Sequence, residues 1–318
     1  MQVFESFDIR EKFENPVLTI GNYDGIHLGH RRIIDRVKER ARELSGTSML
    51  MTFRPHPLHV LRPDRELAAI TPLAEKKRLV DDAGIDVLFI APFTAKFARI
   101  EPEAFITSIL VDRLAIKGLV IGYDFRFGHR GKGDIPSLQE AGRRWGFFVE
   151  VVDAVTLEGE KVGSNRIRGL ISAGDVAKAA KLLGRHFAIE GTVIRARGRG
   201  KTIGYPTINL KTDYALIPKN GVYVTEAEVD GRGWGAVTNI GYNPTFEEGQ
   251  VRSIETFILD FEGDLYDKKV RLHFLERIRD EMKFGSAEEL AARIAEDVER
   301  GRALFGVRER ESLRESFP

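Results

Sequence analysis

The sequence has no cysteine. That absence removes thiol nucleophiles, disulfides and every Cys-based zinc site, and it suits a reducing compartment. No window approaches 18 uninterrupted apolar residues, so no segment is expected to span a membrane. The opening stretch, MQVFESFDIREKFENPV, scatters acids where a leader would carry an apolar run. No secretory signal is read there, and a cytoplasmic protein is expected. Net charge is lacking too: 49 Lys and Arg against 48 Asp and Glu leave +1. Bulk charge therefore offers no argument for a nucleic-acid partner. There is no tandem repeat or low-complexity tract, and only ESLRESFP at the end reads as a loose tail.

What is present is an ordinary globular composition, 42% hydrophobic and 31% charged, over 318 residues. That length exceeds a typical single domain, so two are expected. The first half alternates strand-like and helix-like segments. Apolar runs at residues 17–20, 48–53, 86–91, 118–122 and 147–152 read as strands. Helical patterns at 29–45, 72–83, 102–114 and 136–145 separate them. In the first helix Ile33, Ile34, Val37, Ala41 and Leu44 share a face, with Arg and Lys opposite. Strand–helix–strand repetition implies a parallel sheet covered on both faces. Ligands of such sheets bind beyond the carboxyl ends of the strands.

After about Arg185 the rhythm changes. AIEGTVIRA, GVYVTEAEV, GWGAVTNIG, ETFILDF and KKVRLHFLERI are short β-rich runs separated by turn residues. They predict an antiparallel barrel or sandwich. A long helix closes the chain, with Leu290, Ile294 and Val298 on one face and a capping box from Ser286 and Glu289. The expected division is residues 1–185 and 186–318.

GNYDGIHLGH, residues 21–30, lies between the first strand and its helix. His27 and His30 there admit three readings. A metal would need more ligands; with no cysteine they would have to come through folding, from His56 or His59. The plain reading is that both merely begin a helix. The third is an anion cradle: Gly21, Gly25 and Gly29 let backbone approach a ligand, and the first N–H groups of a helix attract phosphate. Imidazoles can donate hydrogen bonds to phosphate and to charge that develops in a transition state. The lysine and spacing of a Walker A loop are missing.

In the second half, GKTIGYPTINL (200–210) puts Thr207 and Asn209 two residues apart, facing one way on an extended chain. A hydroxyl and an amide suit Mg²⁺ and phosphate oxygens; a turn and an edge strand with solvated polar residues fits as well. RARGRGK (195–201) could clamp polyphosphate, contact nucleic acid or simply be solvated. If ETFILDF is a strand, Glu255 shares an apolar, inward face with Phe257 and Leu259. A carboxylate there is functional, paired, or at a wet strand end.

The HxGH pattern of His27–His30 resembles that of nucleotidylyltransferases. TFRPHP (52–57), GYDFRFG (122–128) and SNRIR (164–168) narrow the resemblance to the FMN adenylyltransferase module of bacterial bifunctional riboflavin kinase/FAD synthetases. GKTIGYPTIN is similar to the riboflavin kinase signature G-[RK]-x-x-G-[FY]-P-T-A-N, with Ile208 in place of alanine. GAVTNIGYNPTF (235–246), ETFILDF and ERIRDEMKF (276–284) are similar to later blocks of that module.

The resemblance implies an α/β nucleotidylyltransferase-like domain, then a β-barrel kinase domain with a terminal helix. It implies ATP-dependent phosphorylation of riboflavin to FMN, then adenylylation of FMN to FAD with release of pyrophosphate. Glu255 would be the kinase base. Thr207 and Asn209 would hold Mg²⁺ and nucleotide phosphates, with Lys201 and Gly204 over the polyphosphate. In the other half His27, His30 and Arg168 would act on the reacting phosphates. Gly21, Asp24, Gly25, Asp124, Ser164 and Asn165 would bind ATP. Phe53, Phe125 and Phe127 are candidate flavin walls, each equally readable as core. Gly163 and Asn165 depart from the family's S-S-T-x-x-R segment. A kinase with an impaired transferase half, or a flavin- or RNA-binding regulator, are the competing readings. ATP, ADP, riboflavin, FMN, FAD and pyrophosphate are the expected partners, without nucleic acid or membrane, and with oligomeric state left open.

Overall fold

The computed structural model describes residues 1–7, 11–195, 204–243 and 251–315. Packing divides the chain into two units, residues 1–164 and 165–318.

The first unit is built on six parallel strands: β1 (Gln2–Phe4), β2 (Val17–Ile20), β3 (Ser48–Arg54), β4 (Val87–Pro92), β5 (Gly118–Gly122) and β6 (Phe148–Val152). Their spatial order is β1-β4-β3-β2-β5-β6. The direction of winding therefore reverses at β2, between β3 and β5. That is where an open α/β sheet leaves a crevice at its carboxyl edge. Alternate residues of each strand feed two cores. Leu18, Met49, Met51, Phe89 and Ile121 face α4 (Pro102–Phe105, continuing as a wide turn through Val111) and α5 (Ile135–Trp145). Val17, Leu50, Leu88 and Val120 face Ile34, Val37 and Ala41 of α1 (Leu28–Glu43) and Leu79 and Val80 of α3 (Leu73–Asp82). The short helix α2 (Pro57–Leu61) and the edge strand β1 carry too few periodic positions to be read from sequence.

A small hairpin, β7 (Thr156–Leu157) and β8 (Glu160–Lys161), precedes α6 (Ser164–Ala173) and α7 (Val176–Leu183). The expected boundary at 185/186 places both helices with the sheet. Their contacts place Asn165 onward with the second unit, where α7 packs on the barrel. The apolar stripe of α7, Val176, Ala179, Leu182 and Leu183, is buried there.

The second unit is a closed barrel of β9 (Phe187–Ile194), β10 (Ile208–Lys211), β11 (Gly221–Val229), β12 (Arg232–Asn243), β13 (Val251–Ile258) and β14 (Lys269–Arg279). The order is β10-β13-β12-β11-β14-β9, antiparallel throughout, with β9 closing on β10. Tyr223, Thr225, Ala236, Thr238, Ile254, Thr256, Leu272 and Phe274 fill the interior. The outer face carries Val222, Val237 and Phe257, which pack with Ile294 and Val298 of α8 (Ala287–Glu315). The helical face expected of Ile294 and Val298 is thus the one that packs. Its cap is shifted: Ser286 Oγ accepts from Glu289 N–H (3.2 Å), but the Glu289 carboxylate answers to Gly285 N–H (2.9 Å) rather than to Ser286. Asp297 of α8, 3% exposed, takes Arg279 of β14 in a fork (Nη2–Oδ2 2.7 Å).

Candidate functional site

In the first unit the carboxyl ends of β2, β3 and β5 carry the residues singled out from sequence. His27 is the N-cap of α1, and its Nδ1 accepts the His30 backbone N–H at 3.3 Å. Because Nδ1 accepts, the hydrogen of the neutral ring sits on Nε2, which leaves His27 a donor on its other edge. The His27 and His30 rings stack, with centroids 3.6 Å apart and planes 15° from parallel. Gly29 suits that geometry, since a Cβ there would lie 3.2 Å from the His27 ring, closer than most Cβ contacts. The first turn of α1 holds no acid and is followed by Arg31 and Arg32. Cations at a helix N-terminus oppose the helix dipole, so an anion seated there would satisfy dipole, imidazoles and arginines together.

The loop leading to His27 is buried from Tyr23 onward and strained. Tyr23 has φ 48°, Gly25 98° and Ile26 40°. Positive φ on a β-branched residue costs on the order of 1–3 kcal/mol and persists only where surrounding contacts fix it. Asp24 supplies several of those contacts. Its Oδ1 accepts Ile70 N–H (2.8 Å), Thr71 N–H (3.1 Å) and the Thr71 hydroxyl (3.4 Å), and Ser164 Oγ donates to its carbonyl (2.7 Å). The Asp24 carboxylate therefore holds the loop. The Tyr23 hydroxyl meets Thr19 at 2.5 Å, and burial raises its pKa.

Asp124, exposed after β5, stands by the same helix: a Cβ on Gly122 would lie 3.5 Å from its Oδ1 and 3.6 Å from Ile33 of α1. The three phenyl rings expected as flavin walls belong to one chain of contacts, Phe53–Phe97–Phe105–Phe127–Phe125. Phe127 is core, 7% exposed and packed on Gly133. Phe53 and Phe125 are half-buried at the rim of that core and keep apolar surface for a ligand. Asn165 Oδ1 accepts from Arg168 Nη1 at 2.8 Å, so the residue that departs from the family's threonine engages the arginine directly.

In the second unit one row crosses the outside of the barrel. Asn209 on β10 pairs with Glu255 on β13, Glu255 with Asn239 on β12, and Asn239 with Val222 on β11. Side chains directly opposite on neighbouring strands sit about 4.5–5.5 Å apart at Cβ. A half-buried carboxylate thus stands between two half-buried amides. This corrects the inward placement: the barrel lumen takes Ile254, Thr256 and Ile258, while Glu255 and Phe257 share the outer face. That face reads as apolar because α8 covers part of it. Thr207 immediately precedes β10, on the side of Asn209 by the two-residue period, and Gly204 turns the chain before it with φ 82°. Lys201 lies outside the described residues.

Asn239 was not singled out from sequence although it lies within GAVTNIGYNPTF; only the strand pairing puts it beside Glu255. The described residues contain no group of three or more His, Cys, Asp or Glu placed to hold a metal ion. A hydroxyl and an amide beside one carboxylate are hard oxygen donors, which suit Mg²⁺ shared with phosphates.

Comparison with known proteins decides what these two sites belong to. A family model described as FAD synthetase matches residues 9–166, and one described as riboflavin kinase matches residues 183–305. The bifunctional riboflavin kinase/FMN adenylyltransferase of Pseudomonas fluorescens is 36% identical, covering 93% of this chain and 95% of its own length. The protein of the same description from Bacillus subtilis is 37% identical with the same coverage. The chain belongs to the bifunctional riboflavin kinase/FMN adenylyltransferase family. The member from Escherichia coli K12, 36% identical, covers 92% of this chain and 94% of its own. A solved structure described as a macrolide-efflux protein from Streptococcus pneumoniae superposes with a TM-score of 0.87 at 31% identity, over 94% of this chain and 98% of that one. Efflux is said of that protein alone; none of the described helices here is long and apolar enough to cross a membrane. Both domains of the bifunctional family are present, so the chain is a transferase of flavin-nucleotide synthesis that uses ATP, and the kinase-only and regulator readings are not favoured.

Proposed function

We propose that each unit performs one of the family's two transfers with the residues described. On the barrel, Glu255 accepts the proton of riboflavin's terminal ribityl hydroxyl as that oxygen attacks the γ-phosphorus of ATP, giving FMN and ADP. A hydroxyl is a weak nucleophile, and a positioned base is worth about 10²–10⁴ in rate. Asn209 and Thr207 would hold the nucleotide phosphates and Mg²⁺, with Gly204 turning the chain beside the polyphosphate. When bound, Mg²⁺ supplies neutralisation of charge on the phosphate oxygens.

On the sheet, an FMN phosphate oxygen attacks the α-phosphorus of ATP, giving FAD and pyrophosphate. This nucleophile is already ionised at neutral pH and needs no base. The need is to align two anions and to stabilise the leaving pyrophosphate. His27 through Nε2–H, His30 and the first N–H groups of α1 serve that purpose. Gly21 and Gly25 shape the loop, and Asp124 and Ser164 complete the nucleotide contacts. Phe53 and Phe125 flank the flavin. The same reading includes a cytoplasmic setting and no nucleic-acid partner.

The observation that carries the proposal is the row Asn209–Glu255–Asn239, a carboxylate framed by amides on the barrel's outer wall. The test is to incubate the protein with riboflavin, ATP and Mg²⁺ and to separate the products. FMN followed by FAD and pyrophosphate is expected. FMN without FAD would leave the kinase alone, and tight flavin binding with neither product would make it a binding module.

A further inference from the structure

One charged side chain under the His27–His30 loop is left without a role by the reading above. Lys76, on α3, is 7% exposed. Its Nζ donates to the Asn22 carbonyl at 2.7 Å and to Thr52 Oγ1 at 3.3 Å. Thr52 Oγ1 donates in turn to the same carbonyl at 3.1 Å. The ammonium thus ties the end of β3 to Asn22, near the start of the strained loop that follows β2. Burying a lysine away from water is costly and is tolerated where the charge is held by specific acceptors.

We propose that Lys76 is a positioning residue for adenylyl transfer: its ammonium clamps Asn22 to Thr52 and so fixes the backbone that presents His27 and His30. This rests on the reading of that loop as the phosphate site. The need for a clamp follows from the backbone. Tyr23 and Ile26 are held at positive φ, a conformation that relaxes unless its surroundings over-determine it. Asp24 secures the middle of the loop to Thr71; Lys76 secures its start. A hydrophobic residue in its place would fill the space but leave the Asn22 carbonyl without that donor.

The charge of this clamp is labile. Burial pushes the Lys76 pKa down to about 8, with the charge of Asp24 opposing the shift. Asp24 faces it from the loop and the Thr52 hydroxyl from β3. On α3 itself Glu75 pairs with Arg78 at 2.8 Å. A folded-state pKa below the ordinary lysine value means the clamp is charged below about pH 8 and loses its charge above it.

The test uses the full chain and three variants, Lys76→Met, Lys76→Arg and His30→Ala, with FAD formation from FMN and ATP followed between pH 6.5 and 9.5. Lys76→Met is expected to lower kcat for FAD by roughly tenfold or more, since small misplacements of reacting groups cost that much. The KM for ATP should change less, and FMN formation by the same preparation should be unchanged. Wild-type FAD formation should decline as pH rises through about 8. Lys76→Arg, whose charge does not titrate there, should keep much of the activity and lose that decline. Full FAD turnover by Lys76→Met, or a lower unfolding midpoint with kcat and pH profile unchanged, would overturn the proposal. If His30→Ala also kept full FAD output, the site reading would fail with it; if His30→Ala were inactive while Lys76→Met was not, only the clamp would fail.

Discussion

Asn209 on β10 and Glu255 on β13 are direct cross-strand partners, and Asn239 flanks the carboxylate from β12. This frame keeps an acceptor-only group among amides that can donate to it, on a wall half-open to solvent. Glu255→Gln preserves the shape and removes the base. FMN formation should fall at least about 100-fold, while added FMN is still converted to FAD. Chromatographic separation of flavins from a single incubation measures both. Equal loss of the two products would argue against separate sites.

His27 caps α1 with Nδ1, and in the proposed transfer its Nε2–H has a second job. The two are separable by substitution. His27→Asn retains a side-chain acceptor for the cap, whereas His27→Ala also gives up about 1 kcal/mol of helix stability. Both should lose FAD formation, but only His27→Ala should lower the unfolding midpoint. His30→Ala should reduce FAD output by roughly 10²–10³, the usual cost of removing a donor to developing charge, with FMN output intact. Full FAD output from His30→Ala would remove the role given to this loop.

Much of this arrangement was legible in the sequence, because period and turn chemistry are local. Residues 17–20 and 118–122 are strands as expected, and the apolar stripe of Ile34, Val37 and Ala41 is the buried face of α1. The side on which Glu255 points was not legible. An apolar, two-residue period marks a covered face, and here both faces of β13 are covered, one by the lumen and one partly by α8. Lys76 was missed for a related reason. It reads as one more polar position of LAEKKRLV, and only the fold shows that its face lies under a loop 54 residues earlier.

The barrel lumen holds a ladder of hydroxyls: Thr225 to Thr238 at 2.8 Å and Thr238 to Thr256 at 2.9 Å, all almost fully buried. Removing the middle rung by Thr238→Val leaves two buried hydroxyls short of a partner, at a cost of about 1–3 kcal/mol. Replacing Thr225, Thr238 and Thr256 together by valine removes every such group and should be far less destabilising than the single change predicts. Trp234 lies in the barrel and Trp145 in the sheet unit, and these are the protein's two tryptophans. Urea unfolding followed by Trp234 fluorescence in a Trp145→Phe background reads the barrel alone. A triple variant weaker than the single one would show that the ladder contributes more than satisfied hydrogen bonds.

Glu150 on β6 ties the sheet to α1, accepting from Arg36 Nε and, at 2.6 Å, from Arg40 Nε. Burial alone would raise its pKa, but the hydrogen bonds from Arg36 and Arg40 outweigh that and hold it below the ordinary glutamate value. A carboxylate whose folded pKa is depressed stabilises the fold above its unfolded pKa, and that contribution disappears as pH falls through the folded value. Glu150→Gln should therefore cost roughly 1 kcal/mol at pH 7. The arginines are not stranded by the change, since Arg36 also meets Glu39 at 2.9 Å and Arg40 meets Glu43 at 2.7 Å. The gap between wild type and variant should close below about pH 4, the range in which an ordinary glutamate protonates. Urea midpoints read through Trp145 in a Trp234→Phe background, from pH 7 down to 3, measure it. A gap that stayed constant with pH would mean that Glu150 acts through packing and not through its charge.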